Sequence, residues 1–330
     1  MTRWNCGSPC RALAAGFATW LACATAAEAQ PGPWHQGTTG PTARCCMGGA
    51  TDGASIYIFG GADSGGVVLK ELWRWNPAAE TWTPLADMPT TKQDIQGAYW
   101  NGRIYVPGGF NGGTFFTENA IYDIASNQWL FGTPLPVPSA GAATAAHNDR
   151  IYVFGGNPGP SNQTRIYDVL SNSWSVAAGM PVGLANGRAI TVGTFAYYVG
   201  GGAVGNPTNA VYRYDLVANT WTTMASLQTG REREELMANP VSGKIYAING
   251  GDGLFGVPIA QTVEIYDVGS NTWTYGQPTL TTTSGPAGGL IPGPGGKFVI
   301  MGGFSFPSYF NDTQVSTNTT PVEVIDFSVR

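Results

Sequence analysis

Charge is what this chain has least of. Asp, Glu, Lys and Arg make up 11% of its 330 residues, under half the roughly 25% of an ordinary soluble domain. The net charge of −5 offers none of the basic striping that a nucleic-acid partner would call for. Histidine is nearly missing: His35 and His147 are the only two, too few for a histidine metal cluster or a spare His-based triad. The chain has no phosphate-cradling loop and no G-x-S-x-G elbow. No run is apolar over the roughly 20 residues that a membrane helix needs. Of five cysteines, Cys6, Cys10 and Cys23 fall before Gln30, so only the adjacent pair Cys45-Cys46 lies beyond it. No conventional disulfide framework can be built from that pair. Neighbouring cysteines bridge only through a strained ring, so buried free thiols are the expectation and a vicinal Cys45–Cys46 disulfide the alternative. No catalytic residues, metal or cofactor are expected.

The stretch from Met1 to Ala29 differs in kind from the rest. Arg3 and Arg11 precede the apolar, Ala-rich stretch from Ala12 to Ala24, and Ala27-Glu28-Ala29 has the small-x-small pattern of a cleavage site. These features predict a secretory signal peptide over residues 1–29, a mature start at Gln30, and a secreted or periplasmic location. Lipidation at Cys23 is the weaker alternative, since Trp20 stands where such a motif has Leu.

What the chain has in quantity is glycine (47), proline (23) and aromatics (12%). They are ordered. From Ile151 to Trp174 the sequence reads IYVFGGNPGPSNQTRIYDVLSNSW: an apolar run, a Gly-Gly pair, a polar loop, then Tyr-Asp and a Trp seven positions after the Tyr. Gly-Gly recurs at Gly60, Gly108, Gly155, Gly200, Gly250 and Gly302. The aromatic-to-Trp spacing recurs at Trp75/Trp82, Tyr122/Trp129, Tyr167/Trp174, Tyr214/Trp221 and Tyr266/Trp273. A repeat of this period, built of short β-branched and aromatic runs between turn residues, marks repeated four-stranded units.

These motifs resemble the kelch repeat over nearly all of the chain after residue 33. The resemblance implies an all-β, six-bladed kelch propeller over residues 30–330. The sixth repeat has its Gly-Gly and a strand-like run from Val322 to Phe327, but no Trp follows before the chain ends. Trp34, by contrast, stands alone at the start. The interval from Trp34 to Gly60 equals those from Trp82 to Gly108 and from Trp129 to Gly155. Trp34 is therefore expected to supply the missing outer strand of the last blade, which closes the ring and removes an exposed edge. Phe304 to Thr320 reads as a long loop.

In kelch propellers the ligand face is formed ten to twelve residues after the Trp and by the loop after Gly-Gly. Here the resemblance points to Arg44, Lys92, Asp94, Arg231 and Arg233, with Glu235 following, and to Asp63, Phe110, Asn157, Asp252 and Phe304 in the loops. Strand alternation in Arg231-Glu232-Arg233-Glu234-Glu235 would turn both Arg residues and Glu235 to one side. Together they would hold a carboxylate or sugar through forked hydrogen bonds; a self-paired surface strand is the plainer alternative. The expected function is a noncatalytic, monomeric binding module for a glycan, peptide or protein. The alternative is a sugar-modifying enzyme similar to the kelch sialic-acid mutarotases, which would need a Glu as base and an Arg for the substrate carboxylate.

Overall fold

Short runs rich in Ile, Val, Tyr and Phe form strands because branched and aromatic side chains pack well on a pleated surface. In the computed structural model, which describes residues 30–203, 206–251, 263–293 and 295–319, these runs build six four-stranded antiparallel sheets. Among the described residues every regular element is a strand, and no helix is long and apolar enough to cross a membrane. The first five blades are continuous in sequence, with inner strands Gly48–Thr51, Ala98–Trp100, Ala143–His147, Arg188–Val192 and Glu235–Asn239. These inner strands, together with Ala287–Ile291 of the sixth blade, surround the central axis.

The Gly-Gly pairs end the second strands, and the geometry shows why no side chain fits there. Gly108 has a φ of +75°, and a Cβ on it would lie 2.1 Å from the Ser139 carbonyl of the next blade. Gly155 repeats the arrangement, 2.2 Å from the Leu184 carbonyl. The left-handed backbone and the close approach both require glycine.

In the second to fifth repeats the Tyr and Trp face one another across the third and outer strands, as in Tyr122↔Trp129 and Tyr214↔Trp221. They also lock neighbouring blades. Tyr122 donates to Asn127 Oδ1 at 2.8 Å, and the same oxygen accepts the Ala86 amide of the preceding blade. Trp129 Nε1 donates back to the Ala86 carbonyl at 2.8 Å. Tyr214, Asn219 and Trp221 make the same three bonds with Ala178. Asn127 and Asn219 have φ of +53° and +56°, a conformation that Asn tolerates better than most residues.

The sixth blade is composite. Its strand order runs from Ala287–Ile291 through Lys297–Ser305 and Ser308–Thr319 to Gln30–Gln36. Trp34 holds the outer-strand position, and its Nε1 donates to the Gln277 carbonyl of blade five, as Trp273 does to the Ala225 carbonyl of blade four. The closure expected from Trp34 is thus present. The third strand is not the one expected. Ser308–Thr319 occupies that place, whereas Val322 to Phe327 lies outside the described residues. The stretch read as a long loop from Phe304 is mostly a hairpin, with Ser305 opposite Ser308. Residues 1–29, read as a signal peptide, also lie outside the described residues.

Candidate functional site

Six residues, each twelve after a Trp, close one end of the central channel: Cys46, Asp94, Gly141, Asn186, Arg233 and Gly285. Each amide donates to the carbonyl of the preceding member. Asp94 donates to Cys46, Gly141 to Asp94, Asn186 to Gly141, Arg233 to Asn186, Gly285 to Arg233, and Cys46 back to Gly285, at 2.6–2.9 Å. The bonds all run in one rotational sense, so each polarises the next. All six residues have left-handed φ, from +51° at Asp94 to +67° at Gly285. Asp, Asn and Gly suit that region, whereas Cys46 and Arg233 are held there by the ring itself.

Asp94 and Arg233 stand opposite one another in the ring, and their side chains meet across it. Arg233 Nε lies 3.4 Å from Asp94 Oδ1, and Arg233 also pairs with Glu232. Their side chains are 22% and 19% exposed, so both reach the face. The loops after Gly-Gly stand around them, each bridged to its own blade, as in Gln93↔Phe110, Ala140↔Asn157 and Ser284↔Phe304. Two aromatic pairs result: Phe110 with Phe115 at 4.7 Å between centroids, and Phe304 with Tyr309 at 5.5 Å. Phe306, between the latter two in sequence, is exposed. Asp252 lies outside the described residues.

The other candidate side chains are elsewhere. Arg44, Lys92 and Arg231 are 1%, 0% and 0% exposed. Arg44 pairs with Glu71, Lys92 meets Glu118 at 2.6 Å, and Arg231 pairs with Glu264. Arg44 also donates to the Gly60 carbonyl and Arg231 to the Asn249 carbonyl, so each cation braces the end of a second strand against a carboxylate of the same blade. Burial pushes the Lys92 ammonium down from its ordinary pKa, with Glu118 opposing. Arg231 and Arg233 do not share a face, because the strand begins only at Glu235 and the left-handed turn at Arg233 breaks the alternation.

Glu235 points into the channel behind the ring. There it lines a cavity of about 220 Å³, together with Gly49, Gly97, Thr144, Thr191 and Gly288. Two residues that sequence reasoning missed stand at the same register as Glu235. Arg188 donates to the carbonyls of Glu234, Ile95 and Met47, tying four blades together. Gln96 Oε1 accepts the amides of Thr144 and Ala189. Arg188, Gln96 and Glu235 each stand fourteen positions after a Trp, a register that could have found them.

Glu234 and Glu235 are buried carboxyls with raised pKa. Burial pushes Glu234 up to about 8, against the pull of Arg231 and Arg188, and among the described residues neither of its oxygens has a hydrogen-bond partner. Burial likewise pushes Glu235 up to about 7, against Arg188. Both values exceed the roughly 4.3 of an unfolded Glu, so ionisation favours the unfolded chain. Stability is therefore expected to be greater near pH 5 and to fall as the pH rises through 8, by on the order of 3 kcal/mol per group. Thermal melts across this range should show the fall, and Glu234→Gln should remove roughly half of it, leaving the part that belongs to Glu235. A wild-type melting temperature that rises with pH over the same interval would refute this account.

Comparison with known proteins places this geometry. The family model described as the KLHDC2/KLHL20/DRC7 Kelch-repeats domain matches residues 23–156 and 130–303. Beta-scruin of Limulus polyphemus is 29% identical over 130 residues, covering 37% of this chain and 14% of that protein. Kelch repeat and BTB domain-containing protein 1 of Ectromelia virus (strain Moscow) is 32% identical over 118 residues, 35% of this chain and 20% of its own length. Kelch repeat and BTB domain-containing protein A55 of Vaccinia virus (strain Western Reserve) matches at 32% over 117 residues, again 20% of its length. The matched segments thus span a fifth or less of each of these relatives.

Proposed function

Because the chain belongs to the kelch-repeat family, we propose that it is a secreted, noncatalytic binding module that takes a polar ligand (a glycan, peptide or protein) on the ring face of the propeller. The observation that carries this reading is the Arg233–Asp94 pair at the centre of a face flanked by Phe110–Phe115 and Phe304–Tyr309. A guanidinium held by a carboxylate offers forked donors, and aromatic faces supply apolar contact area beside them. Of the six side chains expected at the site, Asp94 and Arg233 form the proposed contact set. Arg44, Lys92 and Arg231 support it from within, and Glu235 faces the lumen.

The sugar-modifying alternative requires a Glu base and a carboxylate-gripping Arg that face one space. Glu235 lines the lumen, but the Arg188 donors are spent on backbone carbonyls. That favours the noncatalytic reading.

A glycan and peptide array screened with the purified protein should yield a ligand whose binding falls at least about tenfold, or 1.4 kcal/mol, in Arg233→Ala with Asp94→Ala. The double variant should still give a single cooperative melt. Undiminished binding by a folded double variant would move the site off this face. NMR of the anomeric signals of any bound sugar tests for turnover, and mass spectrometry of the exported protein should find Gln30 as its first residue.

A further inference from the structure

One member of the ring carries chemistry that ligand binding does not use. Cys46 lies next to Cys45, and their Sγ atoms approach to 2.6 Å. Both are free thiols. The approach is little more than half an ångström beyond the length of a disulfide bond, about 2.05 Å. Their backbones are fixed independently. Cys45 pairs with Ala62, while the Cys46 amide and carbonyl are both bonded within the ring. Room for the Cys46 sulfur comes from Gly285, where an added Cβ would lie 2.8 Å from the Cys46 amide nitrogen and 3.4 Å from its Sγ.

The two sulfurs are not equivalent. Cys45 is 2% exposed, whereas Cys46 is half-buried at the channel mouth. The hydrogen bond that the Cys45 thiol shares with Cys46, followed by burial, pushes that thiol well above its ordinary range, so Cys45 holds its proton. Arg233 and Asp94 on the ring, with Tyr309 from the sixth blade, complete the charged and titratable surroundings of the pair.

We propose that Cys45 and Cys46 form a thiol–disulfide exchange centre whose reactants are small-molecule disulfides. The Cys46 sulfur, as thiolate, attacks one sulfur of the incoming disulfide. That bond breaks, and the first external thiolate leaves, taking up the proton that Cys46 released. Cys45 then gives up its proton and attacks the Cys46 sulfur of the mixed disulfide, expelling the second external thiolate, which is protonated in turn. The protein pair loses two electrons and two protons, and the external disulfide becomes two thiols. Adjacent Cα atoms are about 3.8 Å apart, short of the usual 4.4–6.8 Å of a disulfide, and that strain makes the bond easily reduced. Strained and accessible disulfides are the labile ones. The centre therefore exchanges reversibly and does not lock.

The test equilibrates the full chain with glutathione and glutathione disulfide over a range of ratios, then alkylates, denatures and digests it with trypsin. Cys45 and Cys46 fall together on the peptide spanning residues 45–70, apart from Cys6, Cys10 and Cys23. That peptide is expected to lose two hydrogens and its capacity for alkylation as the disulfide fraction rises, and to regain both on reversal. Cys45→Ser should stop at one glutathione adduct on Cys46, and Cys46→Ser should acquire none. A wild-type peptide that takes two alkyl groups at every ratio overturns the proposal without recourse to any variant. An adduct that forms first on Cys45 overturns the assigned order.

Discussion

Deleting residues 30–40 is expected to cost the propeller its cooperative melt. Trimming a few terminal residues is usually harmless, but these residues form a blade edge. Gln30–Gln36 is the outer strand of the sixth blade, and beyond it the amides of Gly37 and Gly40 donate to the carbonyls of Thr313 and Asn311 at 2.7 Å. Trp34 packs with Met237, Tyr246 and Phe298 where the fifth and sixth blades meet. In a ring of repeats each blade is stabilised by its two neighbours, so the loss reopens an interface instead of fraying an end. Trp34→Ala alone should cost about 3–5 kcal/mol in urea denaturation. A synthetic peptide of residues 30–40 added in trans should restore much of the truncated protein's stability. An unchanged melting temperature after the deletion would show that this strand does not close the ring.

The second large effect belongs to Arg231. A ligand-binding arginine can be truncated cheaply, whereas this one is fully buried against Glu264. Arg231→Ala leaves the Glu264 carboxylate inside without its counter-charge, and removing one partner of a buried pair costs about 3–5 kcal/mol. Glu264→Ala should cost a similar amount. The double change Arg231→Met with Glu264→Leu should recover most of the loss, because the penalty lies in the unpaired charge. Additive losses in the double variant would contradict this view. Arg233→Ala, two residues along and 22% exposed, should cost less than Arg231→Ala.

The contrast between these two arginines marks where the sequence stops being informative. Gly-Gly, the Tyr-to-Trp spacing and the shared Trp-to-Gly-Gly interval that includes Trp34 and Gly60 locate most strands, because backbone sterics and aromatic packing demand particular residues at fixed intervals. A cation ten positions after a Trp carries no such mark, since a bracing arginine and a binding arginine look alike until the carboxylate is seen. A weak signal did exist: Glu71 follows Arg44 by 27 positions and Glu264 follows Arg231 by 33. Ser308–Thr319 was missed for a different reason. It is a polar strand whose buried groups are satisfied by bonds that only the fold supplies. Gln314 Oε1 accepts the amides of Leu280 and Thr281, Ser316 Oγ donates to the Gly32 carbonyl, and Thr313 Oγ1 accepts from Trp82. Apolar periodicity cannot find such a strand.

The six-membered ring at the channel mouth is built from amides and carbonyls alone. Its demand on each contributing position is a left-handed backbone, which Asp, Asn, Gly, Cys and Arg all meet here. The groups that seal the channel are therefore separate from the groups displayed over it. Diversity introduced at Cys46, Asp94, Asn186 and Arg233, drawn from residues that accept positive φ, would change what the face recognises while the bonds beneath persist. The propeller thus has a replaceable faceplate, on which new specificity can be written with little loss of the fold.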